Sequence, residues 1–354
     1  MGRLRSHSGE RLDDPNLRRL SISIQRILCR ALGVGLLLSL ISPVSEAATP
    51  THKVVFIFAD SSERPGVLFV AKDQRFFEEQ GLYADVVWVR SGPVAVSAVA
   101  AGEAHFYASP ATAVTFGAVA GGLDLVFIAG LINKLDGYFV VSPKIQSPAD
   151  LKGKILGVQS IGGGIWTFTM LTLSHWGLNP ERDKIQFRIL VDQSAIAQAM
   201  MAGIVDGGFL GYTFSEMLRR QGYRILADLP KANIPFQQLG VLARKGFVDQ
   251  SPEIVERSLK ALVKAIAFIQ EPANKQAVVR SVAKWLRLPR VEGAEELYDR
   301  MKALYDPRIF PTKEGLSNAL GILGKVNPKF EKIRVEDLVD DGIVRKLERE
   351  GVLK

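Results

Sequence analysis

From Lys53 onward, short apolar runs alternate with amphipathic segments, the pattern of βαβ units built around a mostly parallel sheet. Val54 to Ala59 is continuously apolar and suits a strand covered on both faces. Pro65 opens a helix that turns Leu68, Phe69 and Phe76 toward one side and stops at Gly81. Asp85 to Val89 reads as a second strand, and Ser91 with Pro93 starts a second helix that Gly102 ends. A third strand, His105 to Ala108, runs into Ser109-Pro110, which has the form of an N-cap followed by an N1 proline. Leu125 to Ala129 and Gly137 to Val141 are expected to complete the first sheet.

Ser142 to Lys152 is rich in Pro, Ser and charge, and it reads as a crossover between two similar halves. Beyond it come a strand at Ile155 to Val158, a glycine-rich turn, a helix reaching His175, a strand at Phe187 to Leu190, a helix from Ser194 to Met201 and a strand near Gly208 to Leu210. Ala100-Ala101-Gly102-Glu103 in the first half echoes Met201-Ala202-Gly203-Ile204 in the second, each a helix ending at glycine before a short turn into a strand. Leu239 to Ala243 is one more strand, expected to return to the first lobe. In the helix capped by Ser251-Pro252, residues Val255, Leu259, Leu262, Ile266 and Ile269 form one apolar stripe. The predicted class is α/β in two lobes: 48–141, 142–235, and a return strand with cladding helices over 236–354.

Residues 1–47 read as an export leader rather than as structure. Arg18, Arg19, Arg26 and Arg30 precede the apolar run Ala31 to Ile41, and Ser45-Glu46-Ala47 offers a cleavage site. The run is shorter than the roughly 20 residues of a spanning helix, so a soluble periplasmic protein is expected. The single cysteine, Cys29, would leave with the leader, and a mature chain without thiols excludes disulfides, thiolate metal sites and cysteine nucleophiles. The leader carries seven arginines and four acidic residues, so the net charge falls from +8 to +5. That charge is spread along the chain without a basic run interleaved with aromatics, which argues against nucleic acid as a partner.

The mature chain resembles the nitrate/sulfonate/taurine-type solute-binding proteins of ABC importers, related in fold to thiamine-pyrimidine-precursor binding proteins and synthases. Phe76-Phe77-Glu78-Glu79-Gln80-Gly81-Leu82 is similar to the family's first helix end, and Asp150-Leu151-Lys152-Gly153-Lys154 to its entry into the second lobe. Ala202-Gly203-Ile204-Val205-Asp206 and Gly240-Val241-Leu242-Ala243-Arg244-Lys245, followed by Ser251-Pro252-Glu253, resemble later elements in the same order. The resemblance implies a type II periplasmic-binding-protein fold, a small-molecule ligand, a permease partner, a monomer and no cofactor. His105 stands where that family usually has an acidic residue, and it reads as a half-buried histidine at a strand start.

In such sheets ligands sit beyond the carboxyl ends of the strands, near helix N-termini. The candidates are then Asp60, Ser61 and Arg64 after the first strand, Arg90 and Ser91 after the second, and Ser109 and Thr112 after the third. In the second lobe they are Gly163, Gly164, Trp166 and Thr167 around the triple glycine, and Tyr212. The glycines let a ligand approach helix-opening amides, but the lysine and hydroxyl of a Walker loop are missing. Arg64 and Arg90 are potential bidentate anion donors, and Trp166 and Tyr212 are potential aromatic walls that compete with simple core burial. An enzyme related to the pyrimidine synthases remains as an alternative, weakened by the lack of cysteine and by histidines only at 52, 105 and 175 in the mature chain. A periplasmic ligand sensor is a third reading.

Overall fold

The computed structural model describes residues 52–353 apart from Ser61, Val191 and 288–291. The expected leader therefore lies outside the described residues, as does Ser61. Strands β1 (His52–Phe58), β2 (Leu82–Trp88), β3 (Phe106–Ser109) and β4 (Leu125–Lys134) are followed by β5 (Tyr138–Val141), β6 (Ile155–Val158) and β7 (Gln186–Ile189). The chain then forms β8 (Gly207–Leu210), β9 (Arg224–Asp228) and β10 (Pro235–Arg244).

These strands make two five-stranded sheets of matching topology, ordered β2-β1-β3-β10-β4 and β7-β6-β8-β5-β9. In the first, β1 pairs in parallel with β2 and β3, while β10 runs antiparallel to β3 and β4. In the second, β6 is parallel to β7 and β8, while β5 is antiparallel to β8 and β9. Each sheet is thus mixed, with a parallel core of three strands. The internal echo in the sequence has a structural counterpart: Gly102 (φ +79°) and Gly203 (φ +69°) occupy the left-handed region after equivalent helices. That conformation is strained for any residue with a Cβ, which accounts for glycine at both turns.

Three expectations need correction, and two elements are additions. Tyr138–Val141 does not close the first sheet but pairs with β8 and β9 in the second, so the chain crosses at Leu135-Asp136-Gly137 rather than at Ser142 to Lys152. A four-residue apolar run satisfies either sheet, and the choice rests on partners far along the chain, such as Gly207 opposite Val141. The helix after Pro65 breaks at Arg75, whose φ of 62° separates Gly66–Asp73 from Phe76–Glu79. Ser109 and Pro110 do not open the next helix; Thr112 is the N-cap of Ala113–Ala120. The helix Tyr212–Arg220 and strand β9, for which no expectation was stated, belong to the second lobe.

The core follows the apolar positions. Phe56 lies 4.5 Å from Phe106 in a stacked pair and 5.2 Å from Phe77, joining two strands to a covering helix. All five stripe residues of the helix Pro252–Gln270 are buried against the first lobe, each worth roughly 1.5–3 kcal/mol in removal from water. The edge strand β4 is covered by the C-terminal segment, with Gly130 N–H donating to Ile309 O at 2.8 Å and Asp306 N–H to Leu131 O at 2.9 Å. The helix Lys313–Gly324 packs on β10 and also on the helix Gly164–His175, so the C-terminal cladding reaches both lobes.

Candidate functional site

The carboxyl ends of the parallel strands in both sheets face one cleft of about 760 Å³. Lobe one contributes Ala59, Asp60 and Ser62 to Arg64 after β1, Gly92 after β2, and Pro110 and Thr112 after β3. Lobe two contributes Gln159, Gly164 and Ile165 after β6, Asp192 to Ser194 after β7, and Gly211 to Phe214 after β8. Gln238 and Leu239 of β10 form the back, and Leu286 and Leu297 come from the cladding helices.

Five helices begin at this cleft. Those starting at Gly92, Ala113, Gly164 and Tyr212 have N-caps Ser91, Thr112, Gly163 and Gly211, none of which makes a side-chain cap. Their first-turn N–H groups carry partial positive charge and lack side-chain acceptors from their caps. The fifth, Gln193–Met201, is closed by Asp192, which accepts from Ala195 N–H at 2.8 Å. The triple glycine works as a tight turn: Gly162 has φ +77°, and a Cβ on Gly163 would stand 2.3 Å from Ser160 Oγ.

The cleft wall at Asp60, Glu63 and Arg64 is part of an ionic cluster that continues behind it to Asp136 and Arg300. Arg64 donates from Nε to Asp136 Oδ2 at 2.9 Å, from Nη1 to Asp60 Oδ2 at 3.1 Å and from Nη2 to Asp136 O at 3.1 Å. Arg300 donates to Asp136 Oδ1 at 2.8 Å, and its guanidinium sits 4.8 Å from the Tyr138 ring and 4.9 Å from the Tyr212 ring. Burial opposes the Arg64 charge, but Asp60, Asp136 and Glu63 outweigh it and hold the guanidinium above its ordinary range. Burial, followed by repulsion from Asp136, pushes the Glu63 carboxyl up. The Tyr305 hydroxyl donates to Arg64 O at 3.0 Å and accepts from Val67 N–H at 3.1 Å, pinning the loop that carries Arg64.

The structure sorts the sequence candidates. Asp60, Arg64, Thr112, Gly164 and Tyr212 line the cleft. The Arg64 guanidinium is engaged by carboxylates of its own chain. Ser109 is fully buried, within 3.1 Å of Thr115 Oγ1, and Thr167 Oγ1 donates to Gly163 O at 2.9 Å inside its helix. Trp166 is 5 % exposed, packs edge-on to Phe187 at 6.3 Å and is absent from the lining. Gly163 turns the chain just behind Gly164, Ser91 caps the helix beginning at Gly92, and Arg90 is exposed outside the lining. His105 is half-buried at the β3 entry, accepting from Val55 N–H at Nδ1 (3.1 Å), and burial lowers its pKa.

Sequence reasoning missed Tyr107, Gln159, Phe168, Gln193, Phe214 and Gln238 in the lining, and Asp136 and Arg300 behind it. One signal was available: Gln237-Gln238 interrupts an otherwise apolar strand. Burial pushes the Tyr107 hydroxyl up to about 12, which keeps it a neutral donor across the physiological range. Among the described residues, no group of three His, Cys, Asp or Glu side chains is placed to hold a metal ion, and no helix is long and apolar enough to cross a membrane.

Comparison with known proteins agrees with this architecture. A candidate binding protein of Brucella abortus is 24% identical over 258 residues, covering 70% of this chain and 76% of its own length. The periplasmic aliphatic sulphonate binding protein SsuA of Escherichia coli superposes with a TM-score of 0.68 at 17% identity, covering 83% of this chain and 99% of that one. The periplasmic nitrate-binding protein NrtA of Synechocystis superposes with a TM-score of 0.64 at 14% identity, covering 85% and 89%. These likenesses establish the periplasmic-binding-protein fold with additional C-terminal helices. The model of the NMT1/THI5-like family matches residues 66–275, more than half of the chain, and the protein belongs to that family.

Proposed function

We propose that the protein is the periplasmic solute-binding component of an ABC importer, exported behind a cleaved leader at 1–47. It holds a small organic solute between its lobes and delivers it to a membrane permease. The observation that carries this reading is the cleft itself. Two sheets direct their parallel-strand ends into one space of about 760 Å³, within the ~300–1,000 Å³ range of small-molecule sites and far larger than an inorganic ion requires. Uncapped helix starts supply donors, and Tyr107, Phe168, Tyr212 and Phe214 supply rings against which an organic body can pack. Aliphatic sulphonate binding by a protein of the same fold is consistent with this class of cargo.

The ligand contacts assigned to this cleft are Asp60, Thr112, Gly164 and Tyr212, joined by Tyr107, Phe168 and Gln193. Arg64 is part of the lining but is held by Asp60 and Asp136, and Ser109, Gly163 and Thr167 shape the wall behind. The two crossovers between lobes, at Leu135-Asp136-Gly137 and Asn233-Ile234, form the hinge, and a ligand bridging both lobes favours the closed state. The reading is reversible binding by a monomer without turnover. A thermal-shift screen against sulfonates, carboxylates, nitrate and pyrimidines tests it. A ligand at about 100 times its Kd adds ~2.7 kcal/mol of stability. No response from any class, or chemical conversion of the compound that responds, would refute the reading.

A further inference from the structure

The ionic cluster joins the two walls of the cleft through one side chain. Arg300 lies on the helix Glu292–Leu304, whose Leu297, Tyr298, Met301 and Leu304 are buried in the core of lobe one. Its guanidinium nevertheless reaches lobe two. It lies 4.8 Å from the ring of Tyr138, the first residue of β5, and 4.9 Å from the ring of Tyr212, the first residue of the helix Tyr212–Arg220. The two ring centroids are 6.4 Å apart and the rings are tilted by 43°, so one flat cation serves both. The same guanidinium donates at 2.8 Å to Asp136 Oδ1, the fully buried carboxylate of the crossover. Asp136 also accepts from Arg64 at 2.9 Å, and Arg64 donates to Asp60 at 3.1 Å. Both ends of this chain, Tyr212 in lobe two and Asp60 in lobe one, line the cleft, whereas Arg300 does not.

We infer that Arg300 is a positioning residue of the cleft: without touching the solute, it fixes the Tyr212 ring in the lobe-two wall and holds that wall at a set distance from Asp60 in the lobe-one wall. Arginine suits both contacts. Its planar fork bonds a carboxylate through N–H groups while its face lies on aromatic rings, whereas a lysine ammonium is a point charge that serves the carboxylate alone. The Arg300 side chain is 14 % exposed and that of Asp136 is fully buried, so water competes little with either contact. A wall held in place before the solute arrives spares the cost of ordering it on binding. The wall geometry exists with or without a solute; its effect on affinity rests on the solute-binding reading above.

Two spin labels read the spacing of the walls. In a Cys29→Ser background, which has no other cysteine, cysteines replace Ser97 and Gln198. These are exposed residues on the helices Gly92–Ala101 of lobe one and Gln193–Met201 of lobe two, both of which begin at the cleft. Pulsed electron paramagnetic resonance gives the distance distribution between them without ligand. Arg300→Lys keeps a charge for Asp136 but loses the flat contact with both rings, and Arg300→Met loses everything. Each should shift the mean distance by at least about 2 Å or add a second population. Calorimetric titration with ethanesulfonate, benzoate, nitrate and pyrimidine gives affinity. For whichever of them binds the parent, Kd should rise about three- to tenfold in Arg300→Lys, as the competent geometry falls to roughly a third to a tenth of the molecules. A residue that merely stabilises the fold would lower Tm and leave both readouts unmoved. Parent-like distances in the folded variants, or shifted distances with an unchanged Kd, overturn the inference; should Arg300→Met unfold, Arg300→Lys decides alone. If none of the four compounds binds the parent, the solute-binding reading falls, and the distance measurement still decides whether Arg300 holds the walls.

Discussion

Replacing Trp166 by alanine separates core from cleft. Its sequence position, two residues into the helix that follows the triple glycine, suggests an aromatic wall for the ligand. The structure instead turns the indole into lobe two, 5 % exposed, edge-on to Phe187 at 6.3 Å. Truncating a buried tryptophan costs ~3–5 kcal/mol through lost burial and the cavity left behind. Here the indole Nε1 is buried without a partner, and deleting that orphan donor returns about 1 kcal/mol. The net loss is about 2–4 kcal/mol, or about 4–8 °C in Tm at roughly 2 °C per kcal/mol for a chain of this length. Urea unfolding followed by circular dichroism measures the stability, and calorimetric titration measures the affinity, which should change by less than about threefold because the indole makes no part of the lining. Trp166→Phe keeps the ring and removes the orphan N–H, and should stay within about 1 kcal/mol of the parent. A variant of unchanged stability with a tenfold weaker Kd would place the indole against the ligand and refute the assignment.

Three further perturbations test the ground beneath the cleft. The Glu63 carboxyl is raised in the folded state, so the native protein retains a proton that the unfolded chain loses. The resulting penalty is absent below the ordinary value of 4.5 and grows as pH rises from there toward the folded pKa. Glu63→Gln should therefore gain stability over the parent as pH rises above 4.5 and match it below; a pH-independent difference in Tm would show that Glu63 titrates normally. Asp136→Ala removes the carboxylate shared by Arg64 and Arg300, which costs about 3–5 kcal/mol for a broken buried pair. Asp60 and Glu63 remain as partners and place the loss near 3 kcal/mol; a loss below about 1 kcal/mol in denaturant unfolding would mean the cluster is solvated. Gly137→Ala forces a side chain onto a residue at φ +143° whose Cβ would lie 2.4 Å from Phe209 Cζ. At least ~2 kcal/mol of destabilisation should follow, and a neutral result in thermal denaturation would show that the crossover relaxes freely.

Local pattern was a good guide to the elements and a poor one to their neighbours. The apolar stripe from Val255 to Ile269 was legible because helix periodicity alone selects the buried face. Tyr138–Val141 was legible as a strand but not as a member of the second sheet, because four apolar residues fit either sheet until β8 and β9 are in place. Ser109-Pro110 has the local form of a helix start, yet the hydroxyl is turned inward to Thr115 and the cap falls three residues later at Thr112.

The sequence by itself determined the class of fold, the two-lobe arrangement and the loops from which a cleft could be built. Hydrophobic period and glycine placement are local properties, and strand ends in a parallel core leave the loops little choice of side. Only the tertiary structure decided which side chains those loops present. It committed Arg64 to Asp60 and Asp136, buried Trp166 against Phe187, and brought Arg300 from far along the chain to the rings of Tyr138 and Tyr212. It also distinguished Gln237 from Gln238, identical neighbours in sequence, by giving one a full set of partners and leaving the other's oxygen buried without one. Apart from Arg64 with Asp60, these charge pairs and hydrogen bonds join groups far apart in sequence, from 72 residues for Arg64 and Asp136 to 164 for Arg300 and Asp136, meeting at about 3 Å, and no short window along the chain contains that information.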